Sequence, residues 1–416
     1  MSFFRRSKNT NKPILIQILK HLPAHLLNYE ILKHQSDKGC SKYKTYDQLL
    51  ALSFGQLNKC YTLGDISCGL AVSGTFLSDV GLHQSPSKST MSDGNKMRNY
   101  QVFESLYCKL VSYHGKALKK HHQSHIMKEI EKPVIKIIDS TTVSLCLSTF
   151  NWAKFRTAKG GLKLHTAIDD QTGLPEVVNI SEAKLHDSKG FENNVFDKGT
   201  IILEDRAYLN YSLMLRRIKA DNIFVTRKKS NTIYESLKEL DLPINEDQDI
   251  LKDEIIKLTG IRAEKSGMSE MKLRLVTIYK ADENKIIEVI TNNLEWSART
   301  IADLYKKRWD IELFFKSLKQ NLQIKTFLGT SPNAVKSQIY VALINYLILE
   351  LIRRIYTKSK TAFSSFCEKI RMCLMHYLSL SYVCNDLKPI VKKVVKSPSV
   401  NLFDGLNSQL KIKFNT

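Results

Sequence analysis

Three carboxylates in this sequence have the chemistry to hold a metal ion. Asp139 and Asp205 each follow a short apolar run that is typical of a strand, and Glu312 lies on the polar side of a predicted helix. Strand ends meet at one edge of an α/β sheet, where ligands collect. Three carboxylates without cysteine ligands form a hard oxygen site suited to Mg²⁺ or Mn²⁺. Two such ions about 4 Å apart would activate a water or a 3′-hydroxyl for attack on a phosphodiester.

Each aspartate also has a simpler explanation, because aspartates that follow strands commonly form turns or cap helices. The second position is ambiguous for another reason. Glu204 directly precedes Asp205, and adjacent strand residues point to opposite faces of a sheet. The sequence alone leaves open which of these two side chains enters the site.

The stretch from residue 305 to residue 319 is predicted to form one helix with two distinct faces. At about 100° per residue, four polar side chains share one narrow face: Tyr305, Arg308, Glu312 and Lys319. An apolar stripe lies beside it, which is typical of a helix that packs on a core: Leu304, Ile311, Phe315, Leu318 and Leu322. The alternative is an ordinary amphipathic helix in which Glu312 pairs with Arg308 and Lys316.

The chain carries a large positive charge. Of its 416 residues, 63 are Lys or Arg and 41 are Asp or Glu, which gives a net charge of +22. The excess is spread along the chain, so we expect a broad surface for polyanions, with nucleic acid as the first candidate and an anionic membrane as the second. Hydrophobic residues make up 43%, which indicates a globular protein, and the length fits two or three domains.

Cysteine spacing and hydropathy predict a cytoplasmic protein without a membrane segment. None of the eight cysteines forms a C-x-x-C pair, so we expect reduced thiols and no structural zinc site. No secretory signal is recognisable at the N-terminus. The most apolar run, Ile339–Ile352, is interrupted by Asn345 and Glu350 and is shorter than the ~20 residues of a membrane span. This run is predicted to be a buried helix.

The N-terminal third of the chain is predicted to be helical. Residues 1–12 are predicted to form a basic arm, and residues 13–120 are predicted to form a helical DNA-binding domain. Within this domain Thr62 is a plausible N-cap, and the polar, basic stretch Thr90–Tyr100 follows two short helices. This order favours a helix-turn-helix arrangement that enters a major groove, and a plain helical bundle without base contacts is the alternative.

The rest of the chain is predicted to contain an α/β core with an insertion. The first core strand covers Val134–Ile138 and ends at Asp139, and Gly161–Ile168 pairs with Glu176–Ile180 as a hairpin. The insertion has a charged stretch followed by two strands. The boundaries are residues 130–228 and 293–350 for the core, 229–292 for the β-rich insertion, and 351–416 for a helical C-terminal region with a basic tail.

Three further side chains near these positions have undecided roles. Trp309 could stack on a base or pack in a helix interface. Lys163 and His165 lie on the hairpin beside Asp139, and a histidine there is more commonly a hydrogen-bonded part of the sheet than a participant in chemistry.

Together these motifs resemble a known family. The order Asp139-Ser140-Thr141, then Asp205-Arg206-Ala207-Tyr208, then Tyr305-x2-Arg308-x3-Glu312-x6-Lys319 resembles the DDE transposases of bacterial insertion sequences, in the branch named for its Tyr-Arg-Glu-Lys signature. The likeness covers roughly residues 15–350. It implies a ribonuclease H-like α/β core, a mixed sheet flanked by helices, which a β-rich insertion interrupts between the second Asp and the Glu.

The resemblance also implies roles for six residues. Asp139, Asp205 and Glu312 would be the catalytic metal ligands for two Mg²⁺ or Mn²⁺ ions. The other three would contact DNA phosphates near the cleaved end: Tyr305, Arg308 and Lys319. The function implied is a prokaryotic transposase that binds the terminal inverted repeats of its insertion sequence as a homodimer, cleaves the element ends and joins the 3′-hydroxyl ends to target DNA.

Two other functions remain open. One is a ribonuclease H-like DNA nuclease without strand transfer, although a nuclease has no evident need for the insertion or the N-terminal helices. The other is a catalytically silent DNA-binding regulator, which the intact set of Asp139, Asp205 and Glu312 disfavours.

Overall fold

The computed structural model describes most of the chain. The described residues are 10–119, 129–131, 133–145, 154–156, 159–191, 194–242, 249–324, 326–357 and 361–385. The predicted basic tail, and the basic arm apart from its last three residues, lie outside them.

The N-terminal segment is helical, as predicted. Its seven described helices are α1 (Ile14–Leu19), α2 (Ala24–His34), α3 (Thr45–Leu57), α4 (Leu63–Ala71), α5 (Gly74–Asp79), α6 (Lys88–Met97) and α7 (Gln101–Leu118). The predicted N-cap at Thr62 is confirmed, because its hydroxyl accepts a hydrogen bond from the Asp65 backbone N–H at 3.0 Å. The polar helix α6 begins at Lys88 and ends at Met97, earlier than the stretch Thr90–Tyr100.

The centre of the protein is one mixed ten-stranded sheet. Its strands are β1 (Ile135–Leu145), β2 (Lys154–Arg156), β3 (Lys159–Asp169), β4 (Leu174–Glu182), β5 (Ile201–Glu204), β6 (Ile223–Arg227), β7 (Tyr234–Glu239), β8 (Ile250–Leu258), β9 (Lys272–Lys280) and β10 (Lys285–Thr291). The order is β2-β3-β1-β5-β6-β10-β9-β8-β7, and β4 pairs with β3. Strands β1, β5 and β6 run parallel, and the other pairs are antiparallel.

The prediction that the first core strand ends at Asp139 is wrong. Strand β1 continues to Leu145, because the residues after Asp139 pair with β3 in an antiparallel register that includes Asp139 opposite Thr166. Polar side chains in this half of the strand weaken the apolar pattern, although threonine is well suited to strands. Asp139 therefore lies inside a strand, at the point where its parallel neighbour β5 stops.

The segment predicted as a β-rich insertion extends the same sheet. Its two predicted strands correspond to β9 and β10, and β10 pairs with β6. Its charged stretch contains two more strands, β7 and β8. The sequence did not predict them, because their charged residues interrupt the apolar pattern of a strand. Asp253 on β8 is buried and forms two hydrogen bonds of 2.8 and 2.5 Å with Arg274 on β9. A charged sequence can form an internal strand here because a neighbouring strand carries the counter-charge.

Helices cover the sheet and connect it to the N-terminal segment. They are α8 (Tyr211–Lys219), α9 (Ile261–Ser266), α10 (Ala298–Lys307), α11 (Trp309–Asn321), α12 (Pro332–Thr357), α13 (Phe363–Cys373) and α14 (Leu380–Asn385). Helix α12 contacts α1, α3, α6 and α7 as well as α11. It is long and apolar enough to cross a membrane, but 94% of its most apolar window is buried in the protein. The predicted buried helix is confirmed, and it forms part of one continuous hydrophobic core.

The single helix predicted from residue 305 to residue 319 is two helices that meet at Arg308. The Arg308 backbone N–H bonds to the Tyr305 carbonyl three residues back, at 3.1 Å, and Ile311 repeats this spacing with Arg308. Such bonds tighten the turn between α10 and α11. The predicted apolar stripe is confirmed, since all five of its residues are buried.

Candidate active site

Asp139 and Asp205 are brought together by the parallel pairing of β1 and β5. The last paired residues are Ile138 and Glu204, so the next residue on each strand is one of the two aspartates. Side chains alternate between the faces of a sheet, which places Asp139 on the same face as Ile137. Ile137 belongs to the large core beneath α10 and α11. Both aspartates therefore lie at the end of the parallel pairing, on the face covered by these helices.

The structure shows which of the adjacent residues Glu204 and Asp205 faces the candidate site. Glu204 is fully buried and forms an ion pair with Arg217 of α8, on the opposite face of the sheet. Burial raises the pKa of Glu204 in spite of this partner. Asp205 instead lines an open cleft. Asp205 is therefore the acidic side chain that faces the candidate site.

Helix α11 packs on β1 and brings Glu312 to the same edge, with Arg308 beside it. Arg308 Nη2 lies 2.7 Å from Glu312 Oε1, and Arg308 Nη1 lies 3.8 Å from Asp139 Oδ2. The Arg308 side chain is only 12% exposed. The i,i+4 ion pair expected for a plain amphipathic helix is present, but its cation also reaches a carboxylate on the sheet.

Burial is the main reason why the pKa of Asp139 is raised to about 6. The negative charges of Asp205 and Glu312 raise this pKa too, whereas the Ser140 backbone N–H and Arg308 lower it. The Ser140 N–H donates a 2.7 Å hydrogen bond to Asp139 Oδ1. The three predicted carboxylates therefore interact electrostatically at one place.

These carboxylates do not form a ready-made ligand set. Within the described part of the chain, no three Asp, Glu, His or Cys side chains are grouped so that they could hold a metal ion. Arg308 lies between Glu312 and Asp139 instead. The groups nevertheless fit a divalent cation, because they supply hard oxygen donors in a place where negative charges repel one another and attract a cation.

The other two predicted DNA contacts lie around this cluster. Lys319 Nζ donates to Thr141 Oγ1 at 2.5 Å and to the Thr142 carbonyl at 3.1 Å, just beyond Asp139 on β1. The Tyr305 ring centroid lies 5.8 Å from the Arg308 guanidinium carbon, and burial raises the pKa of Tyr305. All six residues singled out from the sequence thus surround one end of the β1–β5 junction.

A cleft of about 920 Å³ leads from Asp205 along α10 to the tip of the β9–β10 hairpin. Trp309 lines this cleft and is 51% exposed, and Lys280 Nζ lies 5.7 Å from its ring centroid. The side chain of Trp309 is therefore not enclosed in a helix interface. Its ring is accessible in the cleft that Asp205 also lines.

The sequence did not single out the polar contacts on the other face of β1. The Ser140 hydroxyl bonds to Asp187, and Lys163 Nζ lies 3.0 Å from Asp187 Oδ1. Asp187 lies in a short turn whose sequence gives no signal. His165 is buried, bonds to Ser181 Oγ at 2.9 Å, and has a pKa lowered to about 4 by burial, so it is neutral at pH 7. It is a hydrogen-bonded histidine of the sheet.

The class of protein to which the chain belongs follows from its family match. The Transposase DDE domain family matches residues 130–348, more than half of the chain, and the positions of all six predicted site residues lie within this range. The chain therefore belongs to this family and is related to the transposases of bacterial insertion sequences. Residues 10–83 match a second family, described as a domain of unknown function (DUF4372).

Several relatives are themselves described as transposases. The chain is 26% identical to the putative transposase y4zB of Sinorhizobium fredii, over 76% of this chain and 82% of the relative. It is 29% identical to the probable transposase for insertion sequence element IS5377 of Geobacillus stearothermophilus, over 71% of this chain and 74% of the relative. A solved piggyBac transposase synaptic complex with hairpin DNA aligns with a TM-score of 0.43 and 11% identity, covering 99% of this chain and 87% of that chain.

Proposed function

We propose that this transposase binds the terminal inverted repeats of its insertion sequence, cleaves DNA at the element ends and joins the 3′-hydroxyl ends to target DNA. The observation that carries the proposal is the grouping of Asp139, Asp205 and Glu312 around the end of the β1–β5 pairing, within a chain of the Transposase DDE domain family. The Tyr-Arg-Glu-Lys branch is part of the proposal, because the four residues lie together at this place.

Asp139, Asp205 and Glu312 would hold divalent metal, Mg²⁺ or Mn²⁺. When bound, two such ions would activate the attacking oxygen and stabilise the leaving oxygen of a phosphodiester. The chain's own contribution is positional. Asp139 is fixed by the Ser140 N–H, Glu312 is held on a helix that packs on β1, and Asp205 follows the end of a buried strand. Ligands on rigid elements keep the geometry that in-line displacement needs.

DNA would be held by two cations and one tyrosine around this cluster. Lys319, Arg308 and Tyr305 surround the carboxylates, and the net charge of +22 favours a polyanion as the partner. The cleft beside Asp205 gives a strand access to the acidic cluster, and the exposed ring of Trp309 offers a surface on which a base can stack. A homodimer, with one chain at each element end, is part of the proposal.

The order of strands supports a ribonuclease H-like core. The antiparallel strands β4, β3 and β1 continue into parallel β5 and β6, and helices pack on the sheet. Strands β7 to β10 follow in the chain before α11, in the place expected of an insertion between Asp205 and Glu312.

The decisive experiment first looks for inverted repeats in the DNA that flanks the coding sequence, and then uses a duplex that carries one of them. With Mg²⁺, the wild type should release a 3′-hydroxyl at the element end and join it to a plasmid. Asp139→Asn, Asp205→Asn and Glu312→Gln should each abolish both steps and leave binding to the duplex intact. Double variants should be no worse than single ones, because the three groups act as a unit. Glu264→Gln, at an exposed glutamate on α9, is the control and should keep both steps.

The outcomes separate the three functions. Cleavage without joining would identify a nuclease, and binding without cleavage by the wild type in either metal would identify a silent regulator. An active Glu312→Gln variant would show that α11 is only an amphipathic helix and that the assigned carboxylates are wrong.

A further inference from the structure

The guanidinium group of Arg308 occupies the space between two of the three carboxylates. It lies 2.7 Å from Glu312 and 3.8 Å from Asp139, and its side chain is only 12% exposed. The side chains of Asp139 and Glu312 are themselves 20% and 36% exposed. In this structure, the positive charge that these carboxylates attract is supplied by the chain itself.

The guanidinium group of Arg308 does not use all of its N–H groups in hydrogen bonds. Its Nε is buried and has no hydrogen-bond partner among the residues that the structure describes. A buried donor without a partner is unfavourable. A move of the guanidinium to a partner that accepts hydrogen bonds from more of its N–H groups therefore lowers the free energy. A phosphate group accepts two parallel hydrogen bonds from arginine. Because Arg308 also lines the open cleft, such a phosphate has a route to it.

Arg308 and a divalent ion compete for the same oxygens. Mg²⁺ binds carboxylate oxygens at about 2.1 Å. Its two positive charges would then lie beside the guanidinium, and repulsion between charges grows as their separation falls. Metal bound to both Glu312 and Asp139 therefore requires the guanidinium to leave Glu312.

We propose that Arg308 is an internal counter-ion that keeps divalent metal from Asp139 and Glu312 until a DNA phosphate draws its guanidinium away. The inference rests on the proposed function, because it requires these carboxylates to be metal ligands. It makes Arg308 a link between two binding events. DNA tightens metal binding, and by thermodynamic reciprocity metal tightens DNA binding by the same factor. The transposase is then loaded with metal where DNA is already in place.

The test measures Mn²⁺ binding to the full chain by the electron paramagnetic resonance signal of free Mn²⁺, with and without a blunt duplex of random sequence. The Mn²⁺ that the same duplex binds without protein is measured separately and subtracted. Such a duplex supplies phosphates but no element end, so the measurement is independent of cleavage. The wild type should bind Mn²⁺ about tenfold more tightly with the duplex than without it, within the usual range of coupling between sites. Arg308→Ala should bind Mn²⁺ about tenfold more tightly than the wild type without DNA, and should gain little when DNA is added.

Lys306→Ala is the matched control. Lys306 is an exposed cation two residues before Arg308 and lines the same cleft, so its loss changes the net charge equally without emptying the space between the carboxylates. Its Mn²⁺ affinity without DNA should stay close to that of the wild type. If Lys306→Ala gained as much Mn²⁺ affinity as Arg308→Ala, the gain would come from the change in net charge alone, and the proposal would be overturned.

The remaining outcomes are also informative. If Arg308→Ala, folded by circular dichroism, binds Mn²⁺ without DNA no better than the wild type, the counter-ion role is wrong. Arg308→Gln, which keeps most of the side-chain volume, repeats the test if the alanine variant is unstable. A wild type that cleaves DNA but shows no coupling overturns only this inference. Absence of Mn²⁺ binding in every variant, with and without DNA, overturns the metal site and the proposed function with it.

Discussion

At the scale of single residues, burial distinguishes the adjacent acidic side chains of Glu204 and Asp205. Glu204 is fully buried against Arg217, whereas Asp205 lies at the end of the strand and lines a cleft. Glu204 is therefore part of the structural core, whereas Asp205 faces the candidate site. A loss of activity at position 204 would have to be interpreted as a loss of folding.

We expect Glu204→Gln to lower the free energy of unfolding by about 3–5 kcal/mol, because removal of one partner leaves the charge of Arg217 buried and unpaired. Asp205→Asn, one residue further, should cost much less stability while it abolishes cleavage. Both effects can be measured by urea unfolding monitored by circular dichroism.

The matched test replaces both members of the pair. The double variant Glu204→Leu and Arg217→Met should recover most of the lost stability, because well-packed apolar side chains often replace a buried ion pair without loss. If Glu204→Gln is as stable as the wild type, the buried pair contributes nothing, and the assignment of Glu204 to the core loses its energetic support.

At the scale of elements, helix α12 joins the N-terminal helices to the sheet. Gln56 on α3 is 1% exposed and donates a 2.8 Å hydrogen bond to the carbonyl of Gln338 on α12. Asn345, also on α12, donates a 2.8 Å bond to Gln56 Oε1. Buried polar groups that satisfy one another fix how two helices dock. A DNA-binding role for the N-terminal helices therefore has to be tested in the full chain, where α12 completes their core.

We expect Gln56→Ala to lower the free energy of unfolding by about 1–3 kcal/mol, since it leaves the Gln338 carbonyl and the Asn345 amide buried without this partner. Thermal and urea unfolding of the full chain would measure the change. Gln101→Ala, at an exposed glutamine at the start of α7, should stay within about 0.5 kcal/mol of the wild type. Equal effects of the two substitutions would argue against the buried network as the link between α3 and α12.

At the scale of the whole molecule, we expect the net charge of +22 to govern the proposed encounter with DNA. Phosphates that pair with lysine or arginine release condensed counterions, so the logarithm of affinity falls linearly with the logarithm of salt concentration. Lys319 is held by Thr141 and Thr142, just beyond Asp139 on β1. Under the proposed function, its charge would lie where a DNA strand crosses the site. The salt dependence of DNA affinity can therefore be divided among individual lysine and arginine side chains.

We expect Lys319→Ala to reduce the slope of log affinity against log salt by about one, the share of a single phosphate contact. Fluorescence anisotropy of a labelled duplex over a range of NaCl concentrations would measure it. Lys319→Arg keeps the charge and should keep the slope. A slope that is unchanged in Lys319→Ala would place this lysine outside the DNA surface.

The sequence by itself predicted several of the local elements and named the candidate site residues. The apolar stripe of α10 and α11, the hairpin of β3 and β4, the first half of β1 and the strand before Asp205 each depend on patterns a few residues long, which are set by side-chain periodicity. The six candidate site residues were found in the same way, helped by their resemblance to a family, and the structure brings all six to one place. Their roles in metal and DNA binding remain predictions.

Only the tertiary structure decided the features that depend on distant partners. Strand β1 continues beyond Asp139 because β3 pairs with it, and the charged strand β8 is internal because Arg274 of β9 neutralises Asp253. Glu204 turns away from the site because Arg217 lies on the other face of the sheet. Arg308 lies between the carboxylates because α11 packs on β1. Each of these features depends on contacts between residues that are far apart in the chain. Local sequence periodicity does not show which distant residues will pair, or how strongly.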